Sequence, residues 1–326
     1  MTLRIGTLGA ARITPKALIL PAQLLPEVEV SAVAARDRER AKAFAKEHQI
    51  PKVYDNYQAL LDDPTIDVIY NPLPNSLHAE WSIKALRAGK HVHCEKPIAS
   101  NAQEARQMAT VAAEAGLVLM EAFRNLYHPL VKRMKEVVQS GELGTIRHIE
   151  GHFCTILRRL DDIRYRWDLA GGATMDLGCY PLRLMRYLLN EVPTVTYAHA
   201  SCIKPQVDRW MEAELQFPSG ATGRMTCAFF SLRLIRLTAH VVGDAGEMHV
   251  LNPIMPHLFN RLTVKSRTGS YSESFRGESS YTHQLRAFVE AVHTGTPILT
   301  DGKDGVVSMQ VIDDVYRRAG LKPRAT

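Results

Sequence analysis

At 326 residues the chain is too long for one comfortable core and suits two domains. Its composition, 46% hydrophobic and 23% charged, is that of an ordinary globular protein and argues against disorder, collagen or a coiled coil. The net charge of +6 is mild and its basic residues are scattered, so no nucleic-acid partner is expected; a cationic cleft for a phosphorylated ligand explains the balance as well.

In chain order, Leu3–Gly9, Val28–Ala35, Val68–Tyr70, His91–Cys94 and Leu117–Met120 read as strands. Between them Pro15–Leu25, Arg38–His48, Leu77–Ala88 and Ala102–Ala115 read as helices, with Gly89 and Gly116 as helix stops. Alternation of this kind predicts a doubly wound parallel sheet over residues 1–122, a Rossmann domain. Beyond about Asn125 the texture changes. A helix over His128–Ser140 leads to an alternating run, Arg147–Ile156, and a glycine pair opens a helical segment, Ala173–Leu189. Strand-like runs follow at Val195–Ile203, Trp210–Phe217, Thr222–Phe230, Arg236–Val242, Glu247–Leu251, Arg261–Lys265 and Tyr271–Phe275. They predict an α+β domain over residues 123–326, built on a mostly antiparallel, open-faced sheet of about six strands. Helices at Tyr281–Thr294 and Gly305–Ala319 should pack back on the body, the last able to reach the first domain.

Five scattered cysteines with no CxxC pair suggest neither a zinc ribbon nor a disulfide framework. The first strand follows the N-terminus without a leader-like pattern, and no apolar run approaches the ~20 residues of a membrane helix. A cytoplasmic protein with no membrane partner is expected.

After the first strand comes Gly9-Ala10-Ala11-Arg12-Ile13-Thr14. A dinucleotide turn wants small residues, so that the backbone can approach the pyrophosphate and the helix N-terminus can hold its charge. Gly9 can make the tight turn, with Ala11 and Thr14 where further glycines are usual. The second strand ends in Ala35-Arg36-Asp37, with Arg38 and Arg40 near. A carboxylate at this tip would bind a ribose 2′-hydroxyl, whereas a guanidinium suits a 2′-phosphate. NADP(H) is therefore expected, and Asp37 keeps NAD(H) possible. His91-Val92-His93-Cys94 is no metal motif, because the two histidines share a strand face and Cys94 points away. No metal is expected.

Three further segments carry a resemblance: Asn71-Pro72-Leu73-Pro74-Asn75-Ser76-Leu77-His78, Cys94-Glu95-Lys96-Pro97, and Trp167-Asp168-Leu169-Ala170-Gly171-Gly172-Ala173-Thr174-Met175-Asp176-Leu177-Gly178-Cys179-Tyr180-Pro181. Together they resemble the Gfo/Idh/MocA oxidoreductases over nearly the whole chain. Ala34-Ala35-Arg36-Asp37, Met120-Glu121-Ala122 and the tyrosine at position 180 look most like the branch of dimeric dihydrodiol dehydrogenase and NADP-dependent xylose dehydrogenase. The resemblance implies hydride transfer between nicotinamide and a hydroxyl or carbonyl of a sugar, polyol or cyclic dihydrodiol. Tyr180 would serve as acid/base, its phenol (pKa about 10 when free) favoured as phenolate by the Lys96 ammonium. Asp176, one helical turn before Tyr180, would bind a substrate hydroxyl or orient the site; the bland alternative is a cap or a pair with an arginine such as Arg183. The resemblance also implies that Pro72, Leu73, Asn75, His78, Glu95 and Glu121 lie near the cofactor, with Gly9, Ala10, Ala11, Arg12, Ile13, Arg36 and Arg40. Trp167 and Arg166 either line the cleft or pack in the core, and Arg158, Arg159 and Arg164 hint at an anionic or polyhydroxylated ligand. Rival readings are a reductase of cyclic imines and a non-catalytic NADP-sensing regulator. Runs apolar on both faces, such as Trp210–Phe217, further predict a homodimer through the C-terminal sheet.

Overall fold

A computed structural model describes residues 2–230 and 235–324. Met1 and residues 325–326, the outer ends of the two expected domains, lie outside the described residues. The chain divides into two compact units, residues 1–124 with 281–306, and residues 125–280 with 307–326.

The first unit holds strands β1 (Leu3–Leu8), β2 (Val28–Ala34), β3 (Lys52–Tyr54), β4 (Val68–Asn71), β5 (His91–Cys94) and β6 (Leu119–Glu121). They pair in parallel in the order β3-β2-β1-β4-β5-β6, so the strand order reverses between β1 and β4. Helices α1 (Leu20–Ala22), α2 (Arg38–His48), α3 (Tyr57–Leu61), α4 (His78–Arg87) and α5 (Ala102–Ala115) make the crossovers. Their starts are written locally. Asp37, Asn56 and Asn101 each accept the amide three residues on, capping α2, α3 and α5. Gly89 and Gly116 stand in the left-handed region, as helix stops require.

Two local readings need correction. The helix expected over Pro15–Leu25 is a π-helical turn, Pro15–Ile19, and a single short turn, Leu20–Ala22, because Pro21 has no N–H to continue the ladder. β3 gives no signal because its three exposed or half-buried residues carry almost no periodicity, and α3 none because five residues make barely more than one turn.

The second unit contains α6 (Pro129–Gln139), β7 (Ile146–Cys154), α7 (Cys179–Leu189), β8 (Thr194–Lys204), β9 (Val207–Gln216), β10 (Thr222–Ala228), β11 (Arg236–Gly243), β12 (Gly246–Leu251), β13 (Arg261–Ser266) and β14 (Gly269–Glu273). Its sheet has eight strands where six were expected, since every alternating run joins it, in the order β14-β13-β12-β11-β7-β10-β9-β8. All neighbours are antiparallel except β7 and β10. One face carries α7, which sits so close that a Cβ on Gly151 would come within 2.7 Å of Pro181 Cβ. The other face bears Glu150, His152, Glu212 and Arg224 around a concavity of about 690 Å³ that includes Trp210 and Phe230. The apolar residues expected on both sides thus resolve into a buried face and a mainly charged one.

The two closing helices are α8 (Ser280–Thr294) and α9 (Gly302–Arg318).

Candidate active site

The reversal of strand order places the carboxyl ends of β1 and β4 side by side, where open α/β sheets bind ligands. Gly9 leaves β1 with φ +83°, and its amide donates to Ala34 O at 2.6 Å. A Cβ there would lie 3.2 Å from Leu73 Cδ2, so both conformation and space select glycine. Among the described residues, the amides of Ala10, Ala11, Arg12 and Ile13 have no backbone acceptor. Thr14, at the head of the following turn, keeps a buried hydroxyl without a partner. This cradle of small residues and open amides fits an anion.

At the end of β2, Ala35 is buried and Arg36 is exposed. Asp37, the residue that kept NAD(H) possible, is turned to cap α2, its Oδ1 accepting from Arg40 N at 3.1 Å. Arg40 donates from Nη2 to Ala10 O at 2.7 Å and so braces the turn, while Arg38 pairs with Asp55 at 2.8 Å.

The Lys96 turn is held from three sides. The Lys96–Pro97 peptide is cis. Ile98 N donates to the fully buried Glu121 Oε1 at 2.8 Å, and Ser100 N to Glu104 Oε2 at 2.9 Å. His78 faces two carbonyls, Pro97 O at 2.8 Å from Nδ1 and Leu73 O at 2.7 Å from Nε2, and thereby ties the loop after β4 to the lysine turn. Burial holds its pKa below the usual imidazole value, against the pull of both carbonyls. Glu95, beside Lys96, accepts from Tyr70 Oη at 2.8 Å, and burial with that carboxylate pushes the Tyr70 phenol well up. Pro72 and Asn75 are half-buried in the loop that Leu73 anchors.

In the second unit the glycine pair is a packing requirement. Gly171 N donates to Arg166 O at 2.8 Å and Gly172 N to Arg164 O at 2.9 Å. A Cβ on Gly171 would meet Arg164 O at 2.5 Å, and Gly172 has φ +137°. A π-helical turn, Thr174–Gly178, then leads into α7. Gly178 lets that turn lie on β10, since its Cβ would stand 3.0 Å from Cys227 Sγ. Asp176 pairs with Arg164 Nε at 2.8 Å. Tyr180, 3% exposed, lies in the first turn of α7 and packs edge to face on Phe153, ring centres 5.6 Å apart. Trp167 is half-buried, with the Arg324 guanidinium 4.7 Å above its ring.

Residues 3–123 match the oxidoreductase family with an NAD-binding Rossmann fold, GFO_IDH_MocA, and residues 131–249 match the GFO/IDH/MocA C-terminal domain. The chain belongs to the Gfo/Idh/MocA oxidoreductase family. Two relatives and one solved structure illustrate its place. A D-xylose 1-dehydrogenase (NADP(+)) from Haloferax volcanii is 37% identical, with 96% of each chain covered. A trans-1,2-dihydrobenzene-1,2-diol dehydrogenase from Sus scrofa is 35% identical over 90% of this chain and 87% of its own. A 3-ketoreductase from Actinomadura kijaniata, solved with NADP and TDP-benzene, superposes with a TM-score of 0.89 at 28% identity, covering 99% of this chain and 98% of that one.

Of the candidates in this Gfo/Idh/MocA oxidoreductase, the first unit carries the cradle, Arg36, His78, Glu95, Lys96 and Glu121, and the second carries Trp167, Asp176 and Tyr180. Sequence reasoning missed Glu104, Asp208 and Arg324, none of which stands in a motif. In the His91-Val92-His93-Cys94 run each side chain has a structural task. His91 Nδ1 accepts from Val118 N at 3.0 Å, His93 stacks on Phe288, and Cys94 Sγ reaches Ile98 O at 3.7 Å. Elsewhere, His240, Glu247 and His249 on the second sheet place potential metal-ligand atoms within 4.8 Å of one another. In this structure both imidazoles are engaged with the Glu247 carboxylate. No helix among the described residues is long and apolar enough to cross a membrane.

Proposed function

We propose that this oxidoreductase uses NADP(H) to interconvert a hydroxyl and a carbonyl on a sugar or cyclic trans-dihydrodiol, with Tyr180 as acid/base and Lys96 as its electrostatic support. The observation that carries the cofactor half is the tip of β2. Ala35 occupies the position where a carboxylate would take a ribose 2′-hydroxyl, Asp37 is engaged through Oδ1 in capping α2, and Arg36 stands exposed beside them. The open amides of Ala10–Ile13 would hold the pyrophosphate and Arg36 the 2′-phosphate. The bound nicotinamide supplies or accepts the hydride.

The protein's own residues handle the proton. In oxidation Tyr180 Oη takes the hydroxyl proton as the substrate carbon loses hydride; in reduction it returns that proton to the new alkoxide. The Lys96 ammonium favours the phenolate, and its turn is braced by His78, Glu104 and Glu121 so that the charge stays in place. Asp176, fixed by Arg164, accepts a hydrogen bond from a neighbouring hydroxyl, which suits a polyol. The sugar and dihydrodiol activities named for the two relatives support this substrate class. For the Actinomadura ketoreductase, structures with one tyrosine changed to phenylalanine and one lysine changed to alanine support attention to such a pair.

The test is a panel of aldoses, trans-dihydrodiols and cyclic imines, followed at the NADPH absorbance band with NADP(H) and NAD(H). Turnover of an aldose or dihydrodiol with NADP(H) is expected. Turnover of imines alone would move the reading to C=N reduction, and tight NADPH binding without turnover to a sensor. The charged face of the second sheet, with Trp210 and Phe230 among its polar groups, is proposed to pair two copies; a monomer in sedimentation at micromolar concentration would refute that pairing.

A further inference from the structure

Arg324, near the C-terminus, is fully buried against the equally buried Asp208 of β9, Nη2 to Oδ1 at 2.8 Å. Nothing about hydride transfer calls for this pair. Burying two charges costs desolvation that apolar residues would avoid, so a stability role alone is a poor account of it. What the pair does have is direction. Arg324 Nε donates to Gly171 O at 2.7 Å, and its guanidinium plane lies over Tyr316 at 4.0 Å as well as over Trp167. Asp208 Oδ2 accepts from both Thr174 N and Thr174 Oγ1 at 2.7 Å, and Oδ1 takes a second bond, from Tyr316 Oη at 2.9 Å. The tail is itself anchored, Lys322 N donating to Gln206 Oε1 at 2.7 Å.

Besides Tyr316 and the tail itself, the atoms held by this network, Gly171 O and the Thr174 amide and hydroxyl, belong to the segment that carries the proposed chemistry. Gly171 O and Thr174 N mark the two ends of the turn before Asp176, whose amide donates to Gly172 O at 3.0 Å. Gly172 is also where a Cβ would come within 2.6 Å of Arg324 Nη2, so the glycine admits the guanidinium. Through the amides of Gly171 and Gly172 the network also fixes residues 164–166, including the arginine that pairs with Asp176.

We infer that Arg324 and Asp208 form an orienting clamp, in which the chain's tail fixes the Gly171–Thr174 turn and thereby the positions of Asp176 and Tyr180. Arg324 is a positioning residue, acting through backbone and not on substrate. The inference rests on the assignment of Tyr180 as acid/base.

The deciding variant is the full-length double substitution Arg324→Met with Asp208→Asn, which removes the clamp without leaving a lone buried charge. Arg324→Lys is its companion and keeps the charge but loses the fork that reaches Gly171 O and Asp208 together. Assays run well below the unfolding midpoint, with NADPH affinity measured on the same samples. The clamp predicts kcat down about 100-fold in the double variant, the size of a misplaced catalytic group, with NADPH affinity within about twofold of wild type and KM changed far less than kcat. Arg324→Lys should recover part of the loss. A double variant that unfolds cooperatively, binds NADPH normally and turns over at the wild-type rate overturns the inference. If the double variant does not fold, Arg324→Lys decides by the same split of kcat from NADPH affinity. Wild-type protein inactive on every substrate would instead sink the assignment of Tyr180, which separates the two failures.

Discussion

Replacing Arg36 by alanine should change which dinucleotide the protein prefers. The side chain is exposed at the tip of β2, next to a buried alanine, with the nearest carboxylate spent on a helix cap. Its neighbours are occupied, Arg38 with Asp55 and Arg40 with Ala10 O, so neither replaces it without giving up a contact. A hydrogen bond to a charged group contributes about 1.5–3 kcal/mol. Solvent exposure argues for the lower part of that range, about 1.5–2 kcal/mol, or about 10- to 30-fold in affinity. NADPH should therefore bind Arg36→Ala about 10- to 30-fold more weakly, with NADH changed by less than about twofold, because a ribose hydroxyl offers no charge. The gap should narrow as salt rises, since the phosphate contact is screened. Fluorescence titration of both dinucleotides at low and high salt measures this. An unchanged NADPH/NADH ratio would refute the reasoning, for it would mean that the guanidinium does not meet the 2′-phosphate.

Two further outcomes concern the frame around the site. Burial between Tyr70 and Phe288 lowers the His93 pKa to about 4 from the ordinary 6.5, so the folded state keeps the ring neutral while the unfolded chain protonates it. The associated stability is fully present above pH 6.5 and is lost as pH falls toward 4, about 2 kcal/mol of it by pH 5. Urea titrations should show that slope and His93→Phe should lose it; a slope identical in the two proteins would count against a neutral buried ring. Glu121→Ala leaves the buried Ile98 amide without its acceptor and should cost about 1–3 kcal/mol, read as a lower urea midpoint. A variant as stable as wild type would show that the carboxylate does not brace the lysine turn.

Much of this was legible locally. The βα alternation, the helix stops at Gly89 and Gly116 and the tight turn at Gly9 are features of a few adjacent residues, and five of the six strands of the first sheet follow from them. Pro21 is a local signal too, its missing N–H limiting the helix that the surrounding pattern suggests. The site's supporting contacts have no such signature. Ile98 N and Glu121, or Arg324 and Asp208, are joined only by tertiary packing, the latter pair across 116 positions. Gly171-Gly172 announced a helix start, whereas its physical reason is the close approach of residues 164–166 and of a guanidinium from the far end of the chain. The second sheet was undercounted because each of its runs is short and ambiguous alone, and becomes a strand only when a neighbour supplies the ladder.

The central claim, that Tyr180 moves the proton in an NADP(H)-dependent hydride transfer, is tested most directly by single-turnover kinetics of Tyr180→Phe on a substrate the wild type accepts. The phenyl ring keeps the packing on Phe153 and removes only the hydroxyl. The account predicts a rate about 10²–10⁴-fold lower, with NADPH affinity unchanged. A Tyr180→Phe protein that binds NADPH and turns over at the wild-type rate would contradict it.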